Sequence, residues 1–176
     1  MEVIKYPNSI LLRKCEDVSL GDESIPKISD EMLELMYASC GIGLAGPQCG
    51  IGKNIVVIDL REEPQKIYKL INPKIVWASE EMIESEEGCL SLPGVTGVLS
   101  RHASVSVEYL NENYEASLIE KADGYLSICL QHEIDHLLGK LYINRMSLFK
   151  KDRLLQKYKQ ILSEESLEEN NNQNNE

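Results

Sequence analysis

The sequence predicts an α+β domain of mostly antiparallel strands packed around a central helix, with one further helix near each end. Its 176 residues suit one domain with a tail, and hydrophobic residues make up 43% of the chain, enough for a core. Short strand patterns follow one another rather than alternating with helices. That order argues against a doubly wound parallel sheet.

The first predicted helix covers residues 24–40. Apolar side chains recur there at helical spacing, Ser24 is the candidate N-cap, and Pro26 lies in the first turn, where its missing N–H costs nothing. Five glycines and one proline in the next twelve residues predict an irregular loop over 41–52.

Strands are predicted where short β-branched segments lie between turn residues. These segments are 54–60, 67–71, 74–77, 104–110 and 115–121. The last two are expected to pair as a hairpin through the polar turn near Asn111 and Asn113. Val105, Val107 and Tyr109 alternate along the first of them and are expected to share one face.

A second helix is predicted over 123–138, with Asp123 as N-cap and Gly139 as the stop, and a third over 147–162. Together these elements give a single catalytic domain over residues 1–163. The remaining segment, 164–176, is acidic and rich in asparagine and has almost nothing to bury, which predicts a disordered tail.

The composition excludes several classes of protein. A net charge of −11 disfavours broad nucleic-acid binding, and we do not expect the protein to bind a specific nucleic-acid sequence. The first residues do not have the pattern of a signal peptide, and the longest aliphatic run, 55–58, is too short to span a membrane. Five scattered cysteines indicate free thiols in a reducing compartment, and we expect a cytoplasmic protein.

The segment QHEIDH at 131–136 carries two of the three histidines. His132 and His136 are four residues apart, so on a helix both point the same way and can chelate one metal ion, while Glu133 can reach a water molecule without being a ligand. The alternative is a solvated helix with two ordinary histidines, but the apolar flanks indicate a buried helix whose imidazoles need partners. Asp135 could orient a ligand or face solvent.

A catalytic metal site needs a third protein ligand and an open position. His102 is the only other histidine, and the longer zinc-protease motif is excluded because its third histidine would fall at Tyr142. A glutamate is possible in principle, but the candidates from 164 onward lie at or in the tail. The cysteines remain, and Cys89 lies between glycine and proline breaks, where a sharp turn could present a thiolate.

Three segments resemble the motifs of the peptide deformylase family, in the family's order and spacing. They are GIGLAGPQ at 41–48, EGCLS at 87–91 and QHEIDHLLG at 131–139. The similarity runs from the YPN near the start to about Lys151. It implies an α+β fold and a metal-dependent hydrolase. The implied substrate is the N-terminal formylmethionine of newly synthesised peptides, with formate as a product.

The resemblance also implies the metal site. Cys89, His132 and His136 would hold one divalent metal ion per chain. Proteins similar to this one mostly use Fe(II) in cells, with Zn(II), Ni(II) or Co(II) as substitutes, and a thiolate ligand suits both iron and zinc.

Further roles follow from the same resemblance. Glu133 would be the general acid and base, and the Gln48 side-chain amide and the Leu90 backbone N–H would bind the oxyanion. The residues implied to bind the substrate around the methionine side chain are Ile42, Gly43, Leu44, Gly88, Tyr125, Ile128 and Cys129.

Three positions depart from the family pattern. Gly46 stands where an alanine is usual, and a neutral exchange of small residues is favoured there over extra loop mobility near Gln48. Tyr125 replaces a common leucine and could narrow or polarise the mouth of the pocket. Ser127 replaces a small apolar residue. None is a ligand, so the departures bear on substrate preference rather than on activity.

Two expectations concern charged residues. Glu87 and Arg101 are expected to pair and brace the Cys89 turn, with little gain in stability if the pair is at the surface. Six basic residues and one acid lie between 145 and 159: Arg145, Lys150, Lys151, Arg153, Lys157, Lys159 and Asp152. They indicate either a solvated helix face, with Leu148, Leu155, Tyr158 and Leu162 packed inward, or a helix over 147–162 that contacts the ribosome, as in similar bacterial deformylases.

Two other functions compete with deformylation. One is a small zinc peptidase, which cleavage of a formylated but not an unformylated peptide would exclude. The other is a deformylase-like protein that only binds ribosomes. The chain keeps Cys89, His132, Glu133 and His136, whereas relatives of that kind lose the glutamate or a ligand.

Overall fold

The computed structural model describes residues 1–173, with side chains described up to residue 164. This part of the chain contains seven β-strands and three α-helices. In chain order they are α1 (Ile25–Ala38), β1 (Gly43–Ala45), β2 (Ile55–Asp59), β3 (Ile67–Ala78), β4 (Met82–Cys89), β5 (Leu92–His102), β6 (Val105–Leu110), β7 (Ala116–Ala122), α2 (Gly124–Leu137) and α3 (Leu148–Gln173). All pairings between these strands are antiparallel, so the predicted α+β class is confirmed.

A five-stranded sheet in the order β1-β2-β3-β6-β7 forms one layer of the domain. Strand β2 is buried along its whole length because both of its faces are covered. Ile55 and Val57 pack in a cluster with Met32 and Met36 of α1. The side chains that alternate with them, such as Val56, pack in a second cluster with α2.

Strands β4 and β5 form a separate two-stranded hairpin on the other side of α2. The apolar side chains of β5 pack in a third cluster with α3, through Leu99, Leu154 and Tyr158 among others. Helix α2 therefore lies between the five-stranded sheet and the hairpin, and this is why it is buried on nearly every side from 127 to 137.

The first residues of the chain connect distant parts of the fold. The Tyr6 N–H donates to the Ser91 carbonyl at 2.9 Å, and the Tyr158 hydroxyl donates to the Tyr6 carbonyl at 3.1 Å. The Cys15 N–H donates to the Leu137 carbonyl at 2.8 Å, at the end of α2. This N-terminal segment is thus hydrogen-bonded to the β4–β5 turn, α2 and α3.

The predicted first and second helices are confirmed to within two residues at each end. Gly139, at a φ of +70°, ends α2 as expected for a glycine stop. The irregular loop predicted over 41–52 is wrong in part, because Gly43–Ala45 pairs with β2 and Gly46–Cys49 forms a 3₁₀ turn. Hydrogen bonding to β2 outweighs the weak strand preference of glycine there.

The strand predictions fail in two places. The segments 67–71 and 74–77 are one strand, β3, interrupted by an irregularity at Asn72, whose φ is +51°. Strands β4 and β5 were not predicted. The inward side chains of β4 include Ser85 and Glu87, so the alternation of apolar and polar residues that marks a strand is missing.

Helix α3 is longer than predicted. It continues past 162 to Gln173, which differs from the disordered tail expected over 164–176; residues 174–176 lie outside the described part of the chain. A helix that is already nucleated gains one hydrogen bond for each residue that extends it. The expected inward packing of Leu148 is wrong, since this residue is 80% exposed, whereas Leu154 and Tyr158 are buried.

Candidate active site

A cavity of about 530 Å³ opens between the end of β4, the segment 41–43 and the first half of α2. Most side chains singled out from the sequence line it: Ile42, Gly43, Gln48, Gly88, Cys89, Leu90, Tyr125, Ile128, Cys129, His132 and Glu133. Leu44 and His136 do not line it. Leu44 is fully buried in the cluster beneath α1, because successive residues of a strand point to opposite faces. His136 is 1% exposed and lies one helical turn beyond His132.

The three predicted metal ligands meet at the inner end of this cavity. His132 and His136 project from the same side of α2, and their ring centroids are 5.1 Å apart. Cys89 is the last residue of β4, and its Sγ lies 3.3 Å from His136 Nε2. The candidate ligand atoms of the three residues all lie within 4.8 Å of one another.

His132 is held by contacts on its outer side. Its Nδ1 donates to Glu87 Oε2 at 2.8 Å, which leaves Nε2 with a free lone pair directed toward Cys89 and His136. The ring of Tyr142 stacks against the imidazole with 6.0 Å between centroids. His132 thus has a fixed orientation and the tautomer that a metal ligand requires.

Glu87 belongs to a group of four charged residues, three of them buried, which we call the ion cluster: Glu87, Arg101, Asp135 and the partly exposed Arg145. Arg101 donates to both oxygens of Glu87, at 2.7 and 2.8 Å, and to Asp135 at 2.5 Å. Arg145 donates to both oxygens of Asp135, at 2.5 and 2.6 Å. Burial opposes ionisation of Glu87, but its hydrogen bonds to Arg101 and His132 prevail and lower its pKa to about 2.

The expected Glu87–Arg101 pair is therefore confirmed, but it is not a surface pair. The Arg101 side chain is 0% exposed and that of Glu87 is 4% exposed. Asp135 faces this cluster rather than solvent, which decides between the two orientations left open by the sequence. A buried pair of this kind is costly to break because the remaining partner would keep an uncompensated charge.

Glu133 has different surroundings. Among the residues that the structure describes, its Oε2 is a buried atom with no hydrogen-bond partner. Burial raises the pKa of this carboxyl to about 7, against the opposing influence of His132. The neighbouring Gly43 leaves room for it, since a Cβ on Gly43 would lie 2.5 Å from Glu133 Oε1. A buried carboxyl with this pKa is suited to accept and return a proton near neutral pH.

Gln48 is oriented by the chain around it. Its side-chain oxygen accepts from the Ala45 N–H at 2.8 Å, so its NH₂ group points toward Cys89 Sγ at 3.4 Å and Ser91 Oγ at 3.3 Å. The backbone carbonyl of Gln48 accepts from the Ile4 N–H at 2.8 Å. The side chain is 1% exposed and presents two donor hydrogens beside the candidate ligands.

The donor atoms fit a catalytic divalent metal. One sulfur and two imidazole nitrogens is a ligand set that zinc and iron accept, and three protein ligands leave a position open. Burial lowers the pKa of His136, which favours the neutral imidazole that a metal binds. The cavity reaches the site from the side of Glu133, so a small molecule has access to that open position.

His102, the third histidine, lies outside this group. Its Nδ1 donates to the Ser79 carbonyl at 2.7 Å, at the start of the β6 hairpin. Sequence reasoning missed the contacts of three other residues: Ser91 beside Gln48, Tyr142 against His132, and Arg145 in the ion cluster. Their spacing gives no local signal, because each is brought to the site from another element.

The structure gives physical reasons for the three departures from the family pattern. At Gly46 a Cβ would lie 2.6 Å from the Lys53 carbonyl and 2.8 Å from the Ile51 carbonyl, so an alanine would require a shift of the backbone there. The Ser127 hydroxyl donates to the His102 carbonyl at 3.1 Å. Tyr125 lines the cavity and is 73% exposed, so it lies at the mouth.

The comparison with protein families gives one clear match. The model of the family described as "Polypeptide deformylase" matches residues 1–152, which include α2 and every residue of the site. The three motifs of the sequence all fall inside the matched part.

Individual proteins agree with this match. A peptide deformylase of Caulobacter sp. (strain K31) is 45% identical over 154 residues, covering 86% of this chain and 88% of that protein. A protein of Brucella melitensis biotype 1 named "Peptide deformylase-like" is 41% identical over 162 residues, covering 90% of this chain and 96% of its own length. The crystal structure of peptide deformylase from Ehrlichia chaffeensis in complex with actinonin superposes with a TM-score of 0.84 at 39% identity, covering 91% of this chain and 96% of that one.

Proposed function

Since the chain belongs to the polypeptide deformylase family, we propose that Cys89, His132 and His136 hold the divalent metal ion on which this family's hydrolysis depends. The chain is a hydrolase that removes the formyl group from the N-terminal formylmethionine of newly synthesised proteins and releases formate. One observation carries the assignment of residues: three ligand atoms converge within 4.8 Å, beside a buried carboxyl that has an unpartnered oxygen.

The proton transfers fall to Glu133. A divalent ion, when bound, acts as a Lewis acid and lowers the pKa of a bound water to about 7. Glu133 accepts the proton of the attacking water and later delivers it to the nitrogen of the leaving amine. Its unpartnered oxygen supports this role, because no existing hydrogen bond must be broken first.

The negative charge that develops on the formyl oxygen needs donors. The Gln48 NH₂ group is already directed to the Cys89 side of the cavity, and its own oxygen is fixed by Ala45. Leu90 lies in the turn after β4 and lines the same cavity, so its N–H is the second proposed donor. Donors fixed before the reaction stabilise the transition state without reorganisation.

The methionine side chain is proposed to bind in the apolar part of the cavity, against Ile42, Gly43, Gly88, Ile128 and Cys129. The formyl carbon carries only a hydrogen, so a tight fit at the ligand end discriminates against larger acyl groups by steric clash. Tyr125, at the mouth, is proposed to contact the residue that follows the methionine.

The test is formate release from formyl-Met-Ala-Ser by protein prepared anaerobically and loaded in turn with iron, nickel or zinc. We expect release by the wild type and loss of release in Glu133→Ala. Met-Ala-Ser without the formyl group is the control, because its cleavage would indicate a peptidase. The absence of formate with every metal would contradict the proposed function.

Two finer points, the native metal and the compartment, are also proposed. Fe(II) is the proposed native metal, as the resemblance to the family implies, and a thiolate with two imidazoles accepts it. The protein is proposed to act in the cytoplasm, where nascent peptides carry the formyl group. Among the described residues, no helix is both long enough and apolar enough to cross a bilayer.

A contact with the ribosome through α3 is the last proposal. Lys150, Arg153, Lys157 and Lys159 are exposed on this helix, and RNA phosphates would attract them. Co-sedimentation with ribosomes should weaken as salt rises, and more strongly in Lys157→Glu than in Lys27→Glu, which alters an exposed lysine of α1. Binding that is absent, or that does not respond to salt, would contradict this contact.

A further inference from the structure

Arg145 does not behave as a member of the exposed basic row of α3. It ends the 3₁₀ turn Tyr142–Arg145, before α3 begins. Its guanidinium group makes two hydrogen bonds to the buried carboxylate of Asp135, at 2.5 and 2.6 Å. The side chain is 41% exposed, so part of it reaches solvent while its Nε and Nη2 bind Asp135. The charged group of Arg145 is therefore paired with a buried carboxylate.

The contacts of Arg145 continue without interruption to a proposed metal ligand. Asp135 also accepts from Arg101, and Arg101 donates two hydrogen bonds to Glu87. Glu87 in turn accepts from His132 Nδ1 at 2.8 Å. Four successive hydrogen-bonded or ion-pair contacts thus connect Arg145 to the imidazole of His132.

The charges of the ion cluster balance only when Arg145 is counted. Glu87 and Asp135 carry two negative charges, and Arg101 and Arg145 carry two positive charges. Without Arg145, two buried carboxylates would share the single guanidinium group of Arg101. Asp135 would then compete with Glu87 for Arg101, and the carboxylate that fixes His132 would lose part of its support.

A second contact ties the same turn to the same imidazole. Tyr142, the first residue of the turn that Arg145 ends, stacks on the His132 ring and is 1% exposed. A shift of this turn would therefore move both the ring that packs on His132 and the guanidinium group that closes the ion cluster.

We propose that Arg145 is a positioning residue for His132, acting through Asp135, Arg101 and Glu87 to set the affinity of the site for its metal. The proposal rests on the proposed function, because it takes His132 as a ligand. It also separates Arg145 from the other basic residues of the 145–159 segment, which remain available to an external partner.

The test measures metal binding rather than turnover. Apoprotein is titrated with Zn(II) against a chromophoric chelator, and the Co(II)-loaded protein is examined by visible absorption. We expect Arg145→Ala to raise the dissociation constant about tenfold, the lower end of the effect of losing an outer contact of a ligand, and to shift the cobalt bands. Arg145→Lys, which keeps the charge but loses the paired hydrogen bonds, should fall between Arg145→Ala and the wild type.

Two controls define the outcome. Arg153→Ala removes an exposed arginine of α3 that lies over the Phe149 ring, and it should leave the dissociation constant and the cobalt spectrum unchanged. Guanidinium ion at millimolar concentration should restore part of the affinity of Arg145→Ala, because the vacated position reaches solvent. If Arg145→Ala does not fold, Arg145→Lys decides the question.

The result that overturns the inference is a folded Arg145 variant with the dissociation constant and cobalt spectrum of the wild type. A wild-type protein that does not bind Zn(II), or that binds it equally well in His132→Ala, would instead contradict the proposed metal site. The two failures are therefore distinguishable.

Discussion

The charged groups on the two sides of helix α2 differ in their hydrogen bonding. On one side, His132 Nδ1, Glu87, Arg101 and Asp135 have hydrogen-bond partners at 2.5–2.8 Å. On the cavity side, in the described part of the chain, Glu133 Oε2 is buried without one. The ion cluster on the first side makes many hydrogen bonds. The cavity side, where the substrate is proposed to bind, has a buried oxygen without one.

The difference has an energetic meaning. A buried polar group without a partner costs about 1–3 kcal/mol, so a protein retains one only where another requirement demands it. At Glu133 the proposed requirement is a carboxyl ready to exchange a proton. On the opposite side, removing one member of the ion cluster would leave a buried charge without its partner and lower the stability of the fold. Variants on the two sides should therefore fail in different ways.

The largest effect is expected for Glu133→Ala. Formate release should fall by up to about 10⁴-fold because the proton carrier is lost. The metal content and the melting temperature should not fall, since an unpartnered buried carboxyl is removed. Steady-state kinetics, elemental analysis and thermal unfolding test this together. Glu84→Ala, which alters an exposed glutamate of β4 outside the cavity lining, is the matched control, and a loss of metal in Glu133→Ala would break the comparison.

Gln48→Ala should be the next largest. Losing one donor to the developing oxyanion is expected to lower kcat by about 10²–10³-fold with little change in KM. Ser91→Ala removes only a neighbour of the Gln48 amide and should have a much smaller effect on kcat. A Gln48→Ala variant whose defect lies wholly in KM would show that Gln48 binds substrate rather than the transition state.

Glu87→Ala tests the side of the ion cluster. Removing this carboxylate leaves Arg101 buried with Asp135 alone and frees His132 Nδ1. The dissociation constant of the metal should rise about 10–100-fold. Unfolding by urea should show a loss of about 3–5 kcal/mol. Unchanged metal content and stability would mean that the ion cluster is not what holds His132.

The smallest effect is expected at Gly46, which belongs to neither side. Gly46→Ala should lower the free energy of unfolding by about 1–3 kcal/mol, because the new methyl group meets two backbone carbonyls. Gly52→Ala is the matched control, since a Cβ there meets nothing within 4 Å. Equal melting temperatures of the two variants would contradict the close approach of residues 51–53 to Gly46.

The metal-binding motif of α2 was more predictable from sequence than the ion cluster. His132, Glu133 and His136 are read from helical spacing alone, because four residues make one turn. The ion cluster depends on residues from β4, β5, α2 and the turn before α3, and no local pattern relates Glu87 to Arg145. For the same reason β4 was missed, since its inward side chains are polar partners of Arg101 rather than apolar ones.

The contacts of the N-terminal segment bear on the order in which parts of the fold can form during synthesis. Tyr6 and Cys15 leave the ribosome long before Tyr158 and Leu137, to which they are hydrogen-bonded in the fold. Such contacts between distant parts of the sequence form late. The hydrogen bonds of the N-terminal segment to α2 and α3 are therefore completed only after both helices have been synthesised.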